Sequence, residues 1–573
     1  MRVLRLEIKR FRGFAATTVL PRGHVLVVGE PRAGRSDLIA ALVRVLDPDA
    51  TRASLEEWDF HGHDLTKDLE IEVVLGDLGD DLNQRFLDQL EFWNPEERLM
   101  VPDTDSVQQL TTIGAIPVLR LAYRGRWDAE EERGEHWVYY PKTSDPEAGE
   151  FRKTARVDRA ALPFLAPTPG RPLALTSQGQ FRRLLESRGS EQIAHALREM
   201  VGVDDLSAKL SAARAVVDGL EAVISPVRQA LDGGAGAGEV MRFLPEGGSV
   251  TGLLRALQPV ADFDDGAGFL PLRRHGSTTV ALLALAETMA TVDHADAVVV
   301  LDDFGDTLDA AGAERLAGLL RTKVAQVWLS TRRPEAARSF APDEVIRLAR
   351  SARGRTVHHA RAATTRSERL AVRHLHRQLL PAMTARTVAV LEGTHDSAGL
   401  TALAERLEGE RGVAPPAAFG VRLVDAGGID EFPRLCELAR SLGFRVVAAI
   451  DHDNDPDEAA RRLAAIESHA DGVARLPDRT AIERALIDDV PAAEIIVALR
   501  SLEDTLDLDL PQELDVDDER TIREFTVRQV KRNNLHAEFV AALAAGSLPT
   551  LGVRLLTVVT ELANGSGSGM VEL

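Results

Sequence analysis

Four short apolar runs in this chain stop abruptly at reactive chemistry rather than at an ordinary polar turn. HVLVV (24–28) ends at a glycine-rich loop, and AVVVL (297–301) ends at Asp302-Asp303. TVAVL (387–391) ends at Glu392, and RVVAAI (445–450) ends at Asp451. Unbroken aliphatic runs of five or six residues suit strands covered on both faces of a parallel sheet. Open parallel sheets place ligand sites at the carboxyl ends of their strands. The sequence therefore predicts an α/β chain with two groups of chemically armed strand ends.

Composition narrows what those ends can serve. A chain of 573 residues makes three or four domains at about 100–200 residues each. Its 89 acidic against 68 basic residues give a net charge of −21. It is no general nucleic-acid coat, and any contact with DNA must run through local basic patches or metal ions. Cys436 is the single cysteine, which excludes an internal disulfide framework and a cysteine zinc ribbon and fits a reducing cytoplasm. No apolar run reaches the roughly 18–20 residues of a membrane span, and MRVLRLEIKRFRGF lacks the apolar core of a secretory signal. A cytoplasmic protein is expected, with no membrane contact. Nine arginines and one acid, Glu368, fall between 347 and 377. They suit either a track for a phosphate backbone or a solvated linker. The nine acids between 501 and 519 read as a solvated loop.

Strands are predicted at 3–9, 69–75, 117–123, 324–329 and 420–424, with helical patterns from about 178 to 231 and from 520 to 563. Prolines at 163–172 and the run DGGAGAGE at 232–239 mark breaks. The expected organisation is an N-terminal α/β part over 1–165, a helical insertion over 166–245 and the return of the first α/β unit over 246–360. A linker over 361–384 and a second α/β domain with a helical tail over 385–573 complete it.

Gly29-Glu30-Pro31-Arg32-Ala33-Gly34-Arg35-Ser36 has the spacing of a phosphate-binding loop between a strand and a helix. Glycines let backbone N–H groups turn around a phosphate, and the helix N-terminus adds partial positive charge. Ser36 can ligate Mg²⁺. Arg35 stands where lysine usually reaches the phosphates, and its planar guanidinium is no simple replacement. The string Leu301-Asp302-Asp303-Phe304-Gly305-Asp306-Thr307-Leu308-Asp309 resembles the LDEPTxxLD stretch of ABC-type ATPases. That resemblance implies ATP as ligand, with Asp302 holding Mg²⁺ through water and Asp303 replacing the glutamate that polarises the attacking water. It also implies that Arg274-His275-Gly276-Ser277 is the signature loop, which contacts the γ-phosphate across a dimer, and that Arg332 occupies the switch position of the family's histidine.

In the C-terminal third, Asp451 and Asp453 share one side of an extended strand end, and Glu392 ends another. Oxygen-only ligands suit Mg²⁺ or Mn²⁺. Two such ions about 3.5–4 Å apart can clamp a phosphodiester. The glutamate motif and the DxD motif 59 residues later resemble a Toprim domain. The whole order, a RecF/ABC-like ATPase interrupted by helices and followed by Toprim, resembles the OLD (overcoming lysogenization defect) nuclease family, to which the Gabija-type antiphage nuclease subunit is related. This implies a metal-dependent DNA endonuclease regulated by its ATPase half, acting in phage or foreign-DNA defence. It also implies a homodimer or higher homo-oligomer built partly by the insertion, with room for a helicase-like partner. By that resemblance Glu392, Asp451 and Asp453 hold metals, Asp396 assists, Glu483 completes the second metal and Lys531 neutralises the phosphate. Gly427-Gly428 resembles the family's intervening glycine pair. Tyrosine-dependent topoisomerases fit poorly, because Tyr123, Tyr139 and Tyr140 all lie far upstream. The competing reading is a nucleotide-sensing scaffold that binds DNA or a partner and carries a non-cleaving Toprim domain.

Overall fold

The computed structural model describes residues 1–102, 107–166, 260–261, 270–290, 296–351, 354–359, 365–366, 376–451, 456–506, 510–511, 518–565 and 567–573. But for residue 166, the expected helical insertion over 166–245 lies outside them, as does Asp453. The chain divides into two compact units. One joins Met1–Phe164, Val298–Asp306 and Ala310–Leu573, and the other joins Leu165–Ala297 with Thr307–Asp309.

The N-terminal strands are β1 (Arg2–Phe11), β2 (Phe14–Val19), β3 (Val25–Gly29), β4 (Leu69–Gly76), β5 (Leu90–Asn94), β6 (Leu99–Met100), β7 (Ile116–Asp128) and β8 (Arg133–Tyr139). All but β3 form an antiparallel sheet of order β2-β1-β4-β7-β5-β6, with β8 on β7. In β4 the residues Leu69, Ile71 and Val73 are buried and alternate with the half-buried Glu70 and Glu72, as an antiparallel strand with one covered face should. β3 is buried at all five residues and belongs to a second sheet. There it joins β9 (Val298–Leu301), β10 (Gln326–Ser330), β11 (Val345–Ser351) and β12 (Gly354–His359) in the order β12-β11-β3-β10-β9. β11, β3, β10 and β9 run parallel, and β12 folds back on β11 as a hairpin. The helix α1 (Arg35–Leu46) follows β3 and buries Leu38, Ile39, Ala41, Leu42, Val45 and Leu46. In the other unit, Gly276 directly precedes the helix α2 (Ser277–Ala290), and Thr278 Oγ1 donates to Thr307 O at 2.6 Å.

The C-terminal domain is a parallel sheet of β13 (Thr387–Leu391), β14 (Val421–Asp425), β15 (Arg445–Ile450), β16 (Gly472–Arg475) and β17 (Gly569–Glu572), in the order β14-β13-β15-β16-β17. Helices α3 (Thr394–Arg411), α4 (Phe432–Ser441), α5 (Ile482–Ala485), α6 (Glu519–Asn533), α7 (His536–Ala542) and α8 (Thr550–Ala563) frame the site described below. α3 buries Leu400, Leu403 and Leu407 into a core shared with Leu555, Val559 and Leu562 of α8 and with Phe539 of α7. The tail is helical as expected, but its last residues add a strand parallel to β16. A glycine-flanked stretch of four residues is too short for periodicity to reveal.

The arginine-rich stretch needs a correction. Arg347 is wholly buried, Arg350 pairs with Glu30 at 3.3 Å, and Arg355 pairs with Asp37. These three arginines make contacts within the protein, while Arg350 stays partly open to solvent and Arg366 and Arg377 are exposed. His376, Leu379, Leu380, Ala382 and Met383, in and just before the end of the expected linker, are buried too. Among the described residues no helix is long and apolar enough to cross a membrane.

Candidate nucleotide and metal sites

The glycine-rich loop lies between β3 and α1. Gly34 caps the helix at φ 93°, a left-handed conformation that disfavours side chains. A Cβ there would stand 2.3 Å from Nη1 of Arg355, which β12 lays across the loop and which the sequence reading did not single out. Ser36 is exposed in the first turn of α1. Arg35 does not extend away from the loop. Its Nη1 donates to Gly29 O at 3.4 Å and to Thr331 O at 3.3 Å, and its Nη2 stands 3.9 Å from Asp303 Oδ1. Burial lowers its pKa against the pull of Asp303.

Asp302 and Asp303 follow β9, beside the loop that follows β10. Ser330 Oγ donates to Asp302 and accepts the Asp303 N–H at 2.9 Å. This buried serine, also missed in the sequence, orients the acidic pair. Asp303 adopts φ 46°, an uncommon backbone for a non-glycine residue. Arg332, at the expected switch position, forms an ion pair with Asp306.

The second site sits on the carboxyl ends of β13 and β15. These strands are direct neighbours, with Thr387↔Arg445 and Val390↔Ala448 in register. Glu392 and Asp451 therefore leave adjacent tips. Gly428 N donates to Glu392 O at 3.0 Å, so the Gly427-Gly428 turn folds back onto the β13 tip. Asp396, in the first turn of α3, accepts the Gly393 N–H at 2.9 Å. Glu483 enters from α5, almost fully covered, and Lys531 Nζ reaches it from α6 at 3.0 Å. His536 was not foreseen. It opens α7, is 3% exposed, and stands 3.8 Å from Glu483 and 4.0 Å from Asp396. Its ring stacks on His395 at 5.8 Å. Only the packing of α7 against α3 brings it there, and no local pattern marks it.

The electrostatics bind these groups together. Burial pushes Asp451 up to about 8, and Asp396, Glu392 and Glu483 add to the shift against Lys531. Burial also raises Asp396, reinforced by Glu483 and opposed by the Gly393 N–H. Burial would raise Glu483 as well, but His536 and the Lys531 ammonium outweigh it and hold the carboxyl at about 2. Lys531 is raised in turn by Glu483. Mutual repulsion among crowded carboxylates is what a bound cation would relieve. Asp451 Oδ1 is buried with no hydrogen-bond partner among the described residues, a costly state for an acceptor unless something positive meets it. Among the described residues no three His, Cys, Asp or Glu side chains form a ready-made ion cage, and Asp453 lies outside them. The donor set of Glu392, Asp396, Asp451 and Glu483 is oxygen-only, as hard divalent ions require.

The C-terminal part is a Toprim domain. Residues 383–453 match the family model described as "Overcoming lysogenization defect protein-like, TOPRIM domain". That match spans β13, β14, β15 and the two acidic tips. No curated protein matches the sequence. Solved structures that overlap the chain include an SMC head bound to the C-terminal winged-helix domain of ScpA, at 16% identity and TM-score 0.31, covering 62% of this chain and 97% of that one. An SMC head with an extended coiled coil, bound to a ScpA domain derived from Pyrococcus furiosus, overlaps at 13% identity and TM-score 0.32, covering 62% and 95%. The SMC head domain from Thermotoga maritima overlaps at 12% identity and TM-score 0.27, covering 63% and 100%. Overlaps this low carry nothing about function, so the reading of the N-terminal half rests on its own loop, strand order and acidic pair.

Proposed function

We propose that this chain is a metal-dependent DNA endonuclease, nicking or cutting both strands, whose activity is regulated by nucleotide bound at the Gly29–Ser36 loop. The observation that carries the reading is that Glu392 and Asp451 follow the ends of neighbouring strands, with the buried Asp451 Oδ1 lacking a hydrogen-bond partner among the described residues. Glu392, Asp451 and Glu483 would hold Mg²⁺ or Mn²⁺, probed as a two-ion site completed by Asp453. Bound there, divalent ions supply Lewis-acid stabilisation of the phosphate and a water nucleophile of lowered pKa. Asp396 orients the first turn of α3 and its own carboxylate toward that centre. Lys531, paired with Glu483 at 3.0 Å, would supply positive charge to a non-bridging phosphate oxygen.

The site at the nucleotide loop favours sensing over rapid turnover. Arg35 commits donors to two backbone carbonyls, and the carboxylate proposed to polarise water, Asp303, faces that guanidinium. Asp302 and Ser36 would hold the Mg²⁺ of bound ATP, with Gly29, Gly34 and Arg35 around its phosphates and Arg332 at the switch position; by resemblance, Gly276 would contact the γ-phosphate of a second copy across a dimer. Homodimerisation through the 166–245 insertion, a helicase-like partner and a cytoplasmic role in phage defence extend the same reading.

Supercoiled plasmid incubated with Mg²⁺ or Mn²⁺, with and without ATP, tests the chemistry. Nicking that depends on metal and vanishes in both Glu392→Ala and Asp451→Ala is expected. Intact plasmid under every metal would leave the nucleotide-sensing scaffold as the better reading. Expression in a phage-sensitive host is expected to lower plaque counts for the wild type but not for Glu392→Ala. Equal plaque counts would remove the defence role.

A further inference from the structure

Arg347 is the most unusual charged residue described here. It lies on β11 at 0% exposure, and among the described residues its guanidinium hydrogen-bonds to backbone carbonyls alone. Its Nη1 donates to Leu442 O at 3.1 Å and Gly443 O at 2.9 Å, and its Nη2 donates to Ala385 O at 2.6 Å. The guanidinium lies over the Phe444 ring, 3.7 Å from its centroid. A buried cation with no carboxylate hydrogen-bonded to it among the described residues is costly, even with the charge of Glu30 acting on it, and methionine could fill the same space. The contacts made at that cost are specific. Ala385 precedes β13 by two residues, and Gly443 precedes β15 by two. One side chain from the nucleotide-binding sheet thus holds the starting ends of both strands whose far ends carry Glu392 and Asp451.

The same strand is held by the nucleotide loop. Glu30, second residue of the loop and 5% exposed, accepts the Arg350 N–H at 2.7 Å and pairs with the Arg350 guanidinium at 3.3 Å. Two residues, Leu348 and Ala349, separate Arg350 from Arg347. β11 pairs directly with β3, with Arg347 opposite Val28 and Leu348 opposite Gly29. The returning strand β12 adds two further contacts. Arg355 crosses the loop at Gly34, and the His358 ring fills the space where Gly443 would carry a side chain. The hairpin β11–β12 therefore touches the phosphate loop along one part and the roots of the carboxylate strands along another.

We propose that Arg347 is a positioning residue that couples the nucleotide loop to the Toprim carboxylates, with Glu30 and the β11–β12 hairpin as the intervening structure. Phosphates in the loop bring negative charge beside Glu30, which changes its pairing with Arg350 and the seating of β11. Arg347 passes that change to the roots of β13 and β15. Packed strands transmit a rigid shift along their length, so the tips respond together. This deepens the regulated-nuclease reading and rests on it for its biological meaning, but the coupling itself needs no cleavage to be measured.

Hydrogen exchange on the full chain, with and without saturating nonhydrolysable ATP analogue, reads the coupling directly at residues 385–392 and 443–451. In the wild type the analogue is expected to change protection of both segments by about fivefold or more, the lower end of ordinary allosteric coupling. Arg347→Met should bring that ratio below twofold while the analogue still binds. Arg347→Lys, which keeps a charge but not the forked donors, should fall between. A merely structural arginine would alter protection equally with and without nucleotide. If Arg347→Met does not fold, Glu30→Gln breaks the same route at its other end and should lose the same response. A wild type that shows no nucleotide response, or an Arg347→Met protein that keeps it, overturns the proposal. Plasmid nicking without nucleotide reports separately on the nuclease, so loss of one reading does not imply loss of the other.

Discussion

Asparagine at position 451 is expected to abolish metal-dependent nicking, by about a hundred- to thousandfold, while making the metal-free protein less sensitive to rising pH. The first effect follows from removing a charge aimed at a bound cation in a partly desolvated site. The second follows from linkage. Asp451 is pushed from an ordinary value of 3.8 up to about 8 by burial, then by Asp396, Glu392 and Glu483. Between about pH 4 and pH 8 the folded state therefore binds more protons at this group than the unfolded state. Its contribution to stability is fully present below pH 4 and is lost as pH rises through 8. Glu483 has the opposite sign. Held at about 2, it contributes stability above its ordinary value of 4.5 and loses it as pH falls toward 2. The two windows barely overlap, but His24, His136, His358, His359 and His376, all held below the ordinary histidine value by burial, also titrate near this range and add stability as pH rises. The difference between wild type and Asp451→Asn melted in EDTA from pH 5 to 8 therefore isolates Asp451: the wild type should lose stability relative to the variant as pH rises, and Mn²⁺ should shrink that pH-dependent difference by favouring the deprotonated ligand. Parallel profiles for the two proteins would sink the assignment of Asp451 as the crowded carboxylate.

Valine in place of Gly34 should cost the nucleotide site about a hundredfold in affinity for an ATP analogue. The residue sits at φ 93°, where a side chain costs about 1–2 kcal/mol. Its Cβ would also collide with Arg355 Nη1 at 2.3 Å. That guanidinium cannot swing away freely, because it pairs with Asp37, which Arg12 also holds at 3.0 Å. Relief therefore comes from the loop, whose N–H groups are the proposed phosphate ligands. Losing one or two charge-assisted hydrogen bonds at about 1.5 kcal/mol each removes about 1.5–3 kcal/mol of binding, a factor of about ten to two hundred. Calorimetric titration checks it, with Mn²⁺ affinity at the Toprim site as the internal control. Analogue affinity within twofold of wild type would place the nucleotide elsewhere.

The readable part of this molecule is the part encoded by neighbours in sequence. β13 and β15 occupy the very residues of the two apolar runs, because a strand covered on both faces must be apolar without interruption. β3 is displaced by one residue, within the ordinary uncertainty of strand ends. β7 extends to Asp128, well past the apolar segment, because Arg120, Arg124 and Arg126 find Glu91 and Asp68 on adjoining elements. β8, with RGEHWVY, has too little apolar alternation to announce itself, and it forms because β7 offers an edge. Ser330 and His536 escaped for a similar reason. Each acts through a partner far off in sequence, Asp302 for the one and Glu483 with Asp396 for the other.

From residues alone came the chemistry of the strand ends, since an apolar run, a glycine turn and a carboxylate are local features with local physical causes. Tertiary structure alone decided which ends meet: β13 beside β15, Glu483 and Lys531 brought in from helices, and Arg347 drawn out of an arginine-rich stretch into a buried clamp. Those choices depend on contacts between residues tens to hundreds of positions apart. Their stability is settled by packing and desolvation of the whole fold, which no window of sequence contains.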